Sequence, residues 1–216
     1  MQEWRAWHED DELIVADKPA GMLAVPGRGE GKQDCLSARV AARWPDARVV
    51  HRLDMATSGL MLFARGAEAQ RRLNAAFAER RIDKRYVAVV HGLVAQEAGE
   101  IDAPLGADWP NRPRQRIDPE HGRPALTRWR VLGRETAMHR TRLELAPVSG
   151  RAHQLRVHLC SIGHTIVGDV LYGRDGEASA AGDVGAGSRL LLHASGLSFA
   201  HPRDGRPLAF ASPPPF

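Results

Sequence analysis

Two cysteines in a chain of 216 residues are too few for a disulfide framework. Cys35 and Cys160 also lack the close spacing of a zinc site, and isolated thiols fit a reducing compartment. No apolar run approaches the length of a membrane span. The opening stretch, MQEWRAWHEDDE, is acidic and polar, unlike a secretory leader. Internal repeats and the strained serine turn of the hydrolases are both missing. Neither charge dominates: 30 Lys and Arg face 26 Asp and Glu, a net +4 that decides little alone. These absences point to a soluble, cytoplasmic α+β protein. At this length, one compact domain over residues 1–216 buries a sizeable core.

The mild positive excess is carried by arginine, in Arg71-Arg72, Arg80-Arg81 and the spaced set Arg112, Arg114 and Arg116. A planar guanidinium fork grips phosphate at two points. Apolar patterning predicts strands over 12–16, 60–65 and 85–91, and an antiparallel pair over 127–132 and 141–146. Short terminal strands are expected over 190–192, 197–200 and 207–210. Helices are expected from Asp34, as cap, through Arg43, over 67–80, and over 152–162 with Gly163 as the stop. Residues 24–33 hold three Gly and one Pro without periodicity, and 174–188 are rich in Gly and Ala; both read as loops. Residues 102–125 hold five Pro, one Trp and four Arg, which excludes a regular element throughout. Such a long irregular segment is either a solvated surface loop or a finger that touches a polyanion.

The densest chemistry lies in HRLDMATSGLMLFAR, from His51 to Arg65. An arginine, a carboxylate, two hydroxyls and a glycine turn precede a continuous apolar strand. Gly59 is the natural turn residue. Asp54 then sits on a loop held against the core by that strand. Asp54, Thr57 and Ser58 are also what ordinary turn chemistry would use. His153 and His158 are five apart, a spacing that does not put both on one helix face, so a metal site is not expected.

HRLDMATSGLMLFA resembles the signature of the RluA family of pseudouridine synthases. DDELIVADKPAGMLAVPG, KRYVAVVHG, GRAHQLRVHLCSIGHTIVGDVLYG and RLLLHASGLSF follow in that family's order, so the resemblance covers nearly the whole chain. Thr165 departs from the proline often found after Gly-His. The resemblance implies a pseudouridine synthase fold, with a central mixed, mainly antiparallel sheet, flanking helices and an active-site cleft across the sheet. It implies an isomerase that needs no metal or cofactor and acts on structured RNA rather than DNA; for the oligomeric state a monomer is the default expectation. It also implies that no extra N-terminal RNA-binding module precedes the catalytic domain. The ADWPNRPRQ finger and VPGR are most similar to the RluA subfamily, which modifies 23S rRNA and tRNA. By the same resemblance Asp54 is the catalytic carboxylate, Arg151 its cationic partner and Tyr86 the phenol beside the uracil. Arg52 would fill the space of a flipped-out uridine. Read without the family, Tyr86 is a core strand residue and Arg151 a solvated helix-start residue. His51 either touches phosphate or caps the strand end. Arg112, Arg114 and Arg116 are expected on RNA. The contrasting reading is a non-catalytic RNA-binding module, for which the finger and the basic helix would suffice.

Overall fold

The computed structural model describes residues 3–29, 31–173 and 189–216. In chain order the elements are β1 Arg5–Glu9, β2 Leu13–Lys18, α1 Leu36–Arg43, β3 Ala47–Val49, β4 Ser58–Arg65 and α2 Gly66–Ala78. Then come β5 Asp83–His91, β6 Ala98–Asp102, β7 Leu105–Ala107, β8 Gln115–Ile117, β9 Leu126–Glu135 and β10 Arg140–Pro147. The chain ends with α3 Gln154–Ser161, β11 Leu192–Ala200 and β12 Pro207–Ala211. The expected mixed, mainly antiparallel β-structure with helices is what forms. The loop expected over 174–188 lies outside the described residues.

The chain divides into two compact units. The first takes residues 1–84 and 193–215. Its strands run β1-β2-β4-β11, with β3 also on β4 and β12 on β11. All these pairings are antiparallel except β4 with β11, which is parallel. Every residue of β4 but the last is buried, as its unbroken apolar run requires. Leu60, Leu62 and Ala64 share one face and one core with Leu13 and Val15 of β2 and with Leu197 and Phe199 of β11. Ala69, Leu73 and Ala76 of α2 close that core. Burial of each such leucine contributes about 1.5–3 kcal/mol.

Gly59 has the positive φ expected of it, 110°, but lies inside β4 rather than in a turn. A Cβ there would run into the backbone carbonyl of Ala194 and sit 2.6 Å from its nitrogen. Glycine is needed because β11 passes so close. The start of α1 also differs from expectation. Cys35, not Asp34, is its N-cap, without a side-chain cap bond, because the Asp34 carboxylate is taken by Arg39 at 2.7 Å.

The second unit takes residues 85–192 and Phe216. Its strands run β5-β10-β9-β6, all antiparallel. In β10, residues Thr141, Leu143, Leu145 and Pro147 are buried while their neighbours are only half-buried. That alternation marks a sheet with one face covered. The segment expected to be irregular carries one short antiparallel hairpin, β7 with β8. The expected helix over 152–162 forms as α3. The strands expected over 190–192 and 197–200 are one strand, β11, which begins at Leu192.

Candidate active site

Asp54 sits on the loop between β3 and β4, half-buried, one residue past the buried Leu53. The Thr57 N–H donates to the Asp54 carbonyl at 3.1 Å and turns the chain toward β4. Two groups from the β2 side grip the next residue. The Gly21 N–H donates to the Met55 carbonyl at 2.8 Å. The Lys18 ammonium, fully buried, donates to the same carbonyl at 2.9 Å, to Pro19 at 2.9 Å and to Met22 at 2.8 Å. A lysine ammonium has three protons to donate, and here each has a backbone acceptor. Met55 itself points outward, 54% exposed, so its backbone rather than its side chain anchors the loop.

A second support enters from β11. The Ser58 Oγ lies 2.8 Å from His193 Nδ1. His193 Nε2 lies 3.1 Å from Ser212 Oγ, and Ser212 donates to Asp17 Oδ2 at 2.7 Å. Ser212 has one proton, given to Asp17, so Nε2 must carry the hydrogen it shares with Ser212. In the neutral ring Nδ1 then accepts from Ser58. A hydrogen-bonded chain thus runs from Ser58 through His193 and Ser212 to Asp17, where Trp7 Nε1 also donates at 3.1 Å. Sequence reasoning assigned no role to Lys18 or His193. The signal was there for Lys18, a cation ending an apolar strand just before a Pro-Ala-Gly turn.

His51 and Arg52 share the loop with Asp54. Arg52 is exposed. The Leu62 N–H donates to His51 Nε2 at 2.8 Å, and the ring packs on Phe77 at 4.9 Å. Burial, with the Lys84 ammonium adding to it, pushes the His51 imidazole down to about 3. The ring is neutral at pH 7, so any contact it makes with phosphate is uncharged.

Tyr86, Arg151, the two helix histidines and the finger arginines belong to the second unit. Tyr86 lies on β5, opposite Leu145 of β10, and is half-buried. Arg151 precedes α3. Its N–H donates to Gln154 Oε1 at 3.0 Å and its Nε donates to the Pro124 carbonyl at 3.2 Å. His158 bridges Thr127 Oγ1 at 2.9 Å and the Ala103 carbonyl at 3.0 Å, and burial holds its pKa down. It is a strut, as is His153, whose Nδ1 lies 2.7 Å from the Tyr172 hydroxyl. Among the described residues no group of His, Cys, Asp and Glu is arranged to hold a metal ion.

The finger is built on the β7–β8 hairpin. Trp109 at its tip is 66% exposed and lies under the Arg112 guanidinium at 4.0 Å. Arg114 lies over the Tyr172 ring at 5.6 Å. Arg116 pairs with Asp118 at 3.4 Å. The hairpin is fastened to α3 through Tyr172, whose hydroxyl accepts the Gln115 N–H at 2.8 Å. Arg156 of α3 lies 5.1 Å from the same ring and is paired in the interior with Asp169 at 2.6 Å.

This arrangement of strands and helices is the pseudouridine synthase fold. The human RNA pseudouridylate synthase domain containing 1 resembles it with a TM-score of 0.79 at 28% identity, covering 99% of this chain and 84% of that one. The human domain containing 4 has the same fold, TM-score 0.79 at 24% identity, over 97% and 88% of the two chains. Residues 12–161 match the RNA pseudouridylate synthase family, and the chain belongs to it. Its chemistry is therefore that of an isomerase. Among curated relatives, the dual-specificity RNA pseudouridine synthase RluA of Vibrio cholerae is 48% identical over 91% of this chain and 77% of its own length. The protein of the same name from Yersinia pestis is 44% identical over 94% and 95%, and that of Escherichia coli K12 43% identical over 97% and 92%. Among the described residues no helix is long and apolar enough to cross a membrane.

Proposed function

We propose that this chain converts uridine to pseudouridine at sites in two kinds of RNA. These are a hairpin loop of 23S rRNA and the first position of tRNA anticodon loops, modified in the cytoplasm by the chain acting as one catalytic domain. The observation that carries this reading is the match to dual-specificity relatives at 43–48% identity over more than nine-tenths of the chain. The fixed geometry of the Asp54 loop supports it.

The reaction breaks the bond from ribose C1′ to uracil N1, turns the base, and joins C1′ to C5, from which a proton leaves. It is redox-neutral and needs one carboxylate beside the sugar. Asp54 fills that role, as nucleophile or as base at C2′. Arg151 supplies the cation that keeps such an anion charged away from bulk water. Tyr86 supplies a ring for the uracil and a hydroxyl for proton traffic. The target base must leave its stack first, at a cost of about a few kcal/mol. Arg52, exposed two residues before Asp54, offers a guanidinium plane for the neighbouring bases. Arg112, Arg114 and Arg116 contact the RNA strand, and His51 serves it as an uncharged group.

Release of tritium from RNA carrying 5-tritiated uridine tests the proposal. The wild-type chain is expected to release it, and Asp54→Asn to release none while binding the same RNA. Continued release by Asp54→Asn would reject the assignment of the carboxylate. Arg151→Met is expected to slow turnover sharply; normal turnover would remove it from the site. A wild-type chain that binds RNA and releases nothing would be a binding module instead.

A further inference from the structure

The second unit holds a cleft of about 360 Å³ that the assignments above leave without an occupant. Its walls are β7, Gln115 of β8, the 121–123 loop and the 150–152 turn before α3. The size is near the lower end for ligand sites, about 300–1,000 Å³, enough for one nucleotide but not for a duplex. Its charged and titratable lining is wholly basic: Arg123, Arg151 and His121, with no carboxylate among the lining residues. The nearby Asp118 accepts the N–H of His121, itself a lining residue, at 3.0 Å and pairs with Arg116.

Arg123 is the residue to note. Many arginines of the chain are paired with an acid: Arg71 and Arg72 with Glu68, Arg85 and Arg130 with Glu144, Arg203 with Glu12. Arg123 has no such partner among the described residues. Its backbone is nonetheless rigid. The Arg123 N–H donates to the Leu105 carbonyl at 2.8 Å, and the Leu105 N–H returns a bond to Arg123 at 3.0 Å. The turn before it is closed down at Gly122, where a Cβ would strike the Asp118 carbonyl and lie 2.9 Å from the Pro104 carbonyl carbon. A guanidinium carried on a bonded backbone, at a cleft whose charged lining is basic, is suited to an anion.

We infer that this cleft seats one backbone phosphate of the substrate RNA, gripped by Arg123, next to Arg151. The inference deepens the proposed function and rests on it for the identity of the anion. A phosphate held there fixes the strand on one side of the residue assigned to the chemistry, so Arg123 is a positioning residue. Affinity of the full chain for an unmodified tRNA transcript, measured by fluorescence anisotropy across a salt series, tests it. Arg123→Ala is expected to bind more weakly and to make the plot of log affinity against log salt shallower by about 0.7–0.9, one phosphate's share. Arg123→Lys is expected to keep the slope, and Arg71→Ala, in the first unit and already paired with Glu68, to keep both slope and affinity. In the tritium assay Arg123→Ala is expected to raise KM with little change in kcat. An unchanged slope for Arg123→Ala, or an equal change for Arg71→Ala, would overturn the inference; so would a fall in kcat with KM unmoved. A wild-type chain that releases no tritium would sink the proposed function, while the salt series would still decide the cleft.

Discussion

At the scale of single residues, the support of the Asp54 loop is concentrated in a few atoms. Lys18→Met keeps the stem and removes the ammonium that three carbonyls share. Each buried acceptor left unsatisfied costs about 1–3 kcal/mol. The variant is expected to lose stability in urea and, because Met55 beside Asp54 is then held by the Gly21 N–H alone, turnover as well. Gly59→Ala is expected to be equally damaging for a different reason: a strained φ costs about 1–3 kcal/mol before the collision with Ala194 is counted, and a thermal melt reads the loss. His51 makes stability depend on pH. Its pKa is depressed on folding, so the unfolded chain binds the extra proton. Stability is therefore complete above the ordinary histidine value and declines as pH falls from about 6.5 toward 3. His158, depressed by burial, adds to the same decline. His51→Gln keeps an acceptor for the Leu62 N–H and is expected to flatten the urea midpoint between pH 6.5 and 4.5 relative to wild type.

At the scale of elements, the finger pairs an exposed tryptophan with a guanidinium. Stacking of a base on such a ring is worth about 1–3 kcal/mol. Trp109→Ala is expected to weaken RNA binding by that order while leaving the melting temperature unchanged, since the ring buries little; a gel-shift titration and a melt separate the two. The elements legible in the sequence were those whose patterning is self-sufficient. The apolar run of β4, the valines of β5 and the alternation in β10 each announce a strand. The strands that escaped notice, β1, β3, β6, β7 and β8, are short and largely exposed or half-buried, and exist because a neighbour offers them hydrogen bonds. In the same way Asp34 has the chemistry of a cap, and only the three-dimensional position of Arg39 decides against it. The Asp54 loop was legible because its residues lie side by side in one motif. Its supports were not: Lys18 reaches Met55 across 37 residues, and Ser58 meets His193 across 135.

At the scale of the whole molecule, the first unit is completed by a piece of chain that comes last. His193 and Ala194 of β11 pair with Ser58 and Gly59 of β4, and Leu197 and Phe199 enter the core with Leu60 and Leu62. A chain cut after Leu192 is therefore expected to leave residues 1–84 without cooperative structure, seen as rapid proteolysis of that part. The parallel pairing has a further effect during synthesis. A ribosome adding about 5–20 residues per second needs on the order of ten seconds to travel from Ser58 to His193. Through that interval one side of β4 waits uncovered outside the exit tunnel, the kind of open edge that captures other chains. The pace of translation across residues 85–192 thus sets how long each newborn molecule is vulnerable to aggregation.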